Sequence, residues 1–110
     1  MIRYEPGDVV LLAAFPYSHM GAVKKRPALV LADIGDADLV LARITSETSR
    51  DPFDLILDRW KETGLLLPSI ARLSKLATLD KRLVVKKMGR LGTPDRRRFR
   101  GLLKKLFDLS

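Results

Sequence analysis

The residues best suited to chemistry are Arg26 and the pair Thr45-Ser46. Arg26 stands in Lys24-Lys25-Arg26-Pro27, after two lysines and before a residue with no amide donor. Thr45-Ser46 closes an apolar run and is followed by Glu47, Thr48 and Ser49. A guanidinium offers planar, forked donors to the non-bridging oxygens of a phosphodiester, and a neighbouring hydroxyl can orient that group. Arg-Pro and Thr-Ser pairs also occur in ordinary surface turns, so the pattern carries weight only where the fold brings them together. Two more candidates precede Arg26. Tyr17 can stack an unpaired base, a contact worth about 1–3 kcal/mol, or it can cover a barrel rim. His19 has a side chain that titrates near neutrality, although a lone loop histidine is commonly a solvated bystander. The chain holds one histidine and no cysteine. A cysteine nucleophile, a cysteine-based or histidine-rich metal site and a paired-histidine acid–base site are therefore excluded, and the residues call for no cofactor and no metal.

The charge points to an anionic ligand. The chain of 110 residues has 21 Lys and Arg against 13 Asp and Glu, a net +8. Between Lys81 and Lys105 there are 11 basic residues and a single acid, Asp95, while the remainder carries 10 basic against 12 acidic residues. The basicity is thus local. As a cluster it reads as an electrostatic footprint for phosphates, although any one Lys or Arg is as well explained by solubility. No apolar run approaches the 18 residues of a spanning helix, and Met1–Asp8 has acids and Pro6-Gly7 where a leader would be apolar. The expectation is a cytoplasmic protein without a membrane partner.

These residues need a scaffold, and the pattern predicts one domain, mainly β. Asp8–Phe15, Pro27–Ala32 and Leu39–Thr45 are short apolar runs separated by loop and turn residues, including Asp33-Ile34-Gly35-Asp36. The last two, joined by so short a connection, should pair antiparallel. The start of one then lies beside the end of the other, which sets Arg26 across a rim from Thr45 and Ser46. Leu55–Leu57, Ser69–Leu73 and Leu83–Val85 are further strand candidates. Short strands with frequent turns predict a small antiparallel barrel or sandwich over about 5–92. The period then changes. Phe99, Leu102, Leu103, Leu106 and Phe107 recur at helical spacing from about Pro94 to Asp108, with Thr93 as a cap and Pro94 at the first helical position. The opposite face of this helix shows Arg96, Arg97, Arg98, Arg100, Lys104 and Lys105. Trp60, in Asp58-Arg59-Trp60-Lys61, is expected as a core plug or interface anchor.

Several separated segments resemble one family. Lys24-Lys25-Arg26-Pro27-Ala28-Leu29-Val30-Leu31 and Ala42-Arg43-Ile44-Thr45-Ser46 are similar to the first half of the PemK/MazF toxins, the ribonuclease partners of bacterial toxin–antitoxin pairs. Gly64–Leu73, Thr78–Lys81 and Lys87–Leu91 resemble that family's later segments, and Gly7-Asp8-Val9-Val10 with Phe15-Pro16-Tyr17 its PemK-like branch. The resemblance spans about Glu5 to Leu109. It implies an SH3-like barrel with a C-terminal amphipathic helix, a homodimer, and a cognate antitoxin partner, with DNA met only indirectly through the antitoxin complex. It also implies metal-independent, sequence-selective cleavage of single-stranded RNA, in which the ribose 2′-oxygen attacks phosphorus to give a cyclic phosphate. Arg26 matches the family's catalytic arginine, which would stabilise charge on the equatorial oxygens or protonate the leaving group. Thr45 matches its catalytic threonine, with Ser46 beside it, and Arg72 matches an arginine that some members place near the phosphate. Ser74 stands where some members carry an acid, and Ala77 where an arginine is common. A serine is no carboxylate base, so the general base stays unassigned. A weakened enzyme, or a non-catalytic module that binds nucleic acid or protein, remains the alternative.

Overall fold

A computed structural model describes residues 2–14 and 25–109; Tyr17, His19 and Lys24 lie outside the described residues. Six strands run β1 Asp8–Leu12, β2 Arg26–Ala32, β3 Asp38–Thr45, β4 Asp54–Ile56, β5 Ile70–Asp80 and β6 Val84–Arg90, followed by helix α1 Thr93–Leu106. Short 3-10 turns occupy Trp60–Thr63 and Lys81–Leu83. The strands form one antiparallel sheet in the order β4-β5-β3-β2-β1-β6.

The continuous apolar runs have a simple cause. Neighbouring residues alternate between two cores, as side chains on a strand must. Val9, Leu29 and Ala42 belong to one, and Val10, Ala28 and Leu41 to the other. With both faces covered, β1 to β3 need no polar alternation. Phe99 of α1 is buried in the first core, where Leu102, Leu103 and Leu106 pack against it. Tyr4 and Leu39 complete the second, joined by Ala77 and Leu79 of β5.

The barrel is not closed by strand pairing among the described residues. Among the described residues β4 and β6 remain the two edges, and the 3-10 turn Trp60–Thr63 packs on β6 between them. This approach needs glycine. Gly64 has φ +82°, and a Cβ there would lie 2.9 Å from the Met88 carbonyl oxygen.

Two expectations require correction. β5 is longer than Ser69–Leu73: the pairing jumps from Ala42↔Leu76 to Arg43↔Arg72, leaving Leu73, Ser74 and Lys75 unpaired with β3. Leu73 stays in the first core, and the exposed Ser74 and Lys75 interrupt the apolar pattern midway. Thr93 does not cap α1. Gly92 occupies the N-cap position, Thr93 is the first helical residue, and Pro94 follows it. Arg98 is exposed on α1 as expected, but its charge is paired rather than free. Its guanidinium donates to Asp58 Oδ2 at 2.8 Å, to the Ile56 carbonyl at 2.9 Å and to Asp95. Asp95, fully buried, also accepts the Asp58 and Arg59 amides and so ties the start of α1 to the segment after β4.

Candidate active site

Arg26 opens β2 and Thr45 ends β3. The ladder pairs Ala28 with Arg43, and continuing its antiparallel register by two residues sets Arg26 opposite Thr45. Both side chains are half-buried, and Ser46, exposed, follows at the rim. All three line one cleft of about 270 Å³. Arg43 lines it too, and Leu65, Leu66, Leu67 and Met88 add apolar wall. No carboxylate or imidazole lines the cleft among the described residues, although the Glu47 carboxylate beside it pairs with one of the two guanidinium groups, Arg43.

The hydrogen bonds of these groups are directional. The Glu47 amide donates to Thr45 Oγ1 at 3.2 Å. One lone pair of that oxygen is thereby occupied, and its proton remains available to an acceptor in the cleft. The Nε of Arg26 is buried and has no hydrogen-bond partner among the described residues. A buried donor without a partner carries an unrecovered desolvation cost of about 1–3 kcal/mol.

The Glu47 carboxylate is the anchor beside the cleft. It lies 3.4 Å from Arg43, 2.7 Å from Arg50 and 3.8 Å from Arg72. The Glu47 amide and carboxylate thus hold Thr45 and Arg43 at once. Neither Arg43 nor Glu47 stands out from the sequence as a site residue. The available signal was parity, since Arg43 precedes Thr45 by two positions on one strand and shares its side. Nothing local to Leu65–Leu67 marked it as cleft wall.

The remaining candidates fall elsewhere. Lys25 is exposed just ahead of β2. Arg72 is 6% exposed and does not line the cleft. It stands opposite Asp54 in the β4–β5 ladder, donates to Asp54 Oδ2 at 2.9 Å and reaches the Thr48 carbonyl at 3.4 Å. Ser74 donates to Asp51 at 2.9 Å, on the bulge and away from the cleft. Ala77 pairs with Leu41. Trp60 is half-buried against the first core, with the Lys61 ammonium 5.5 Å from its ring centre. The shifted titrations also lie outside the cleft. The Tyr4 amide, Lys81 and the Gly35 amide hold the Asp33 carboxyl down at about 2, and Arg82 lowers that of Asp80.

A family profile described as PemK-like, MazF-like toxin of type II toxin-antitoxin system matches residues 5–107. The chain belongs to this toxin family. No curated protein matches it in sequence, but solved structures do so in fold. A mycobacterial endoribonuclease in complex with its cognate antitoxin superposes with TM-score 0.78 at 16% identity, over 98% of each chain. The Mycobacterium tuberculosis toxin MazF-mt6 gives 0.74 at 18% identity, over 94% of this chain and 98% of its own. A MazE-MazF structure from Deinococcus radiodurans gives 0.75 at 21% identity, over 97% of each. The toxin fold is therefore a mainly antiparallel β sheet with one C-terminal helix. No helix among the described residues is long and apolar enough to cross a membrane.

Proposed function

We propose that this toxin is a sequence-selective endoribonuclease that cuts single-stranded RNA in the cleft between Arg26 and Thr45-Ser46. The observation that carries the reading is the juxtaposition in one cleft of a guanidinium whose buried Nε has no partner among the described residues with a threonine hydroxyl whose proton is left to donate. The nucleophile is the substrate's own 2′-oxygen, so the reaction needs no metal-bound water. That oxygen attacks the adjacent phosphorus, the P–O5′ bond breaks, and the products are a 2′,3′-cyclic phosphate and a 5′-hydroxyl. The 2′-proton leaves to a base, and a proton is delivered to the 5′-oxygen. Arg26 neutralises charge on the equatorial oxygens as the phosphorus becomes five-coordinate. Thr45 orients the phosphate or the 2′-hydroxyl, and Ser46 and Lys25 support the backbone. The chain acts as a cytoplasmic homodimer restrained by a cognate antitoxin, through which alone it meets DNA.

One observation favours a second reading. The described cleft lining includes no group that could serve as general base, which suits a module that grips RNA without cutting it. A single experiment separates the two. Wild-type protein, Arg26→Ala and Thr45→Ala are incubated with long single-stranded RNA in EDTA, and the ends are mapped. Discrete cuts ending in cyclic phosphate, reduced about 10²–10³-fold in each variant, are expected. A folded wild-type protein that binds this RNA and leaves it intact refutes the nuclease and establishes the binding module.

A further inference from the structure

The strongest charge outside the cleft lies on α1. Arg97 and Arg100 are exposed and Arg96 is half-buried. These three, with Thr93, form the entire lining of a surface hollow of about 220 Å³. Arg96 and Arg100 also wall an adjoining hollow with Arg90 and Glu5 at its edge. Unlike Arg98, which is spent on Asp58 and Asp95, the three make no ion pair within 4.0 Å among the described residues. Arg96, Arg100 and Lys104 follow one another at four-residue steps, about 6 Å each along the helix. This is a row of cations at a spacing comparable to that of phosphates along a nucleic-acid strand.

The row is separate from the cleft. The adjoining hollow is floored by Leu31, at the opposite end of β2 from Arg26. Five residues of strand place the two about 17 Å apart. The arginine-walled hollow itself has no apolar residue in its lining, and the apolar residues Pro6, Leu31, Phe99 and Leu103 line only the adjoining one. A docked peptide is usually fixed by apolar anchors, whereas a phosphate backbone needs only donors, and guanidinium forks match its oxygens.

We propose that the Arg96–Arg97–Arg100 face of α1 is a second RNA-binding surface, which takes the phosphates of the strand flanking the cut site. RNA as the ligand rests on the nuclease reading, while the site itself rests on the unpaired arginines. Its consequence is that this toxin holds long transcripts more tightly than fragments that only fill the cleft.

The test is equilibrium binding across a salt series, using a short RNA that fills the cleft and a long unstructured RNA, both with 2′-O-methyl riboses so that no 2′-hydroxyl is present to cut. Wild type is compared with Arg96→Gln/Arg97→Gln/Arg100→Gln and with Lys75→Gln/Arg82→Gln/Lys86→Gln, an equal charge change on exposed residues elsewhere. For the long RNA, the slope of log K against log salt should flatten by about 2 in the helix variant, roughly 0.7 per lost phosphate contact. The short RNA should bind unchanged, and the corresponding Arg→Lys variant should recover most of the slope. Should the triple variant misfold, the single Arg97→Gln reads the same effect at about 0.7. Equal losses in the helix and control variants, or equal losses on short and long RNA, overturn the proposal. Unchanged RNA slopes with loss of polyglutamate binding overturn it in favour of an acidic polypeptide. Because binding is read without cutting, a protein that cuts nothing still tests this surface. Conversely, cleavage with an unaltered salt slope refutes the surface and spares the nuclease.

Discussion

Replacing Arg72 with methionine asks whether that arginine serves the phosphate or the scaffold. Its side chain and that of Asp54 are 7% and 0% exposed, and their closest atoms are 2.9 Å apart. Removing one partner from such a pair costs about 3–5 kcal/mol, because a carboxylate is left buried without its counter-charge. Here the Arg50 and Asp51 amides still donate to the same oxygen, at 2.7 and 3.2 Å, which argues for the lower end, about 3 kcal/mol. In a domain of this size that lowers Tm by on the order of 10–20 °C, measured at one protein concentration because assembly shifts the midpoint. Asp54→Asn keeps an acceptor for the two amides and removes the stranded charge. Added to Arg72→Met, it should restore about 1 kcal/mol or more, a coupling expected only of groups in contact. Cleavage by the folded fraction of Arg72→Met should fall less than about tenfold, corresponding to under about 1.4 kcal/mol of barrier. A Tm within about 2 °C of wild type together with a hundredfold or greater loss of cutting, about 2.7 kcal/mol of barrier, would refute the reasoning and move Arg72 to the phosphate.

Two further outcomes follow from the same contacts. Asp33 titrates at about 2, held down by the Tyr4 amide and Lys81. Its stabilising effect is fully present above the ordinary carboxylate value and is lost as pH falls toward 2. Asp33→Asn should therefore lower stability near neutrality and flatten the acid limb below about pH 4, as read by urea midpoints across pH. Gly64→Ala forces φ +82° on a residue with a Cβ and drives that carbon to 2.9 Å from the Met88 oxygen. It should cost about 2–3 kcal/mol, and an unchanged thermal midpoint would disprove the close packing of the turn on β6.

The sequence revealed the ends of β2 and β3 because two apolar runs and a short turn leave only one pairing. Arg26 and Thr45 followed from that local geometry. The cleft's apolar wall did not, since Leu65–Leu67 reaches it through tertiary packing that no period encodes. The extent of β5 was hidden by the Leu73–Lys75 bulge, where the chain breaks its own alternation. Arg98 looked like its neighbours on the helix, and only the buried Asp95 and the partner Asp58 single it out. Arg72 was assigned by likeness to a family position. What it touches here depends on Asp54, a cross-strand partner that spacing along the chain does not disclose.

The open ends of the sheet bear on how copies of this chain meet one another. The two strand edges left unpaired among the described residues would ordinarily invite further chains to add on, the route to aggregation. One edge, β4, is only three residues long. The other, β6, carries exposed Lys86, Lys87 and Arg90, and its pairing with β1 is twice irregular. A second copy approaching β6 edge to edge would set like charges against one another. Positive charge along β6 thus guards the sheet against fibrous self-association.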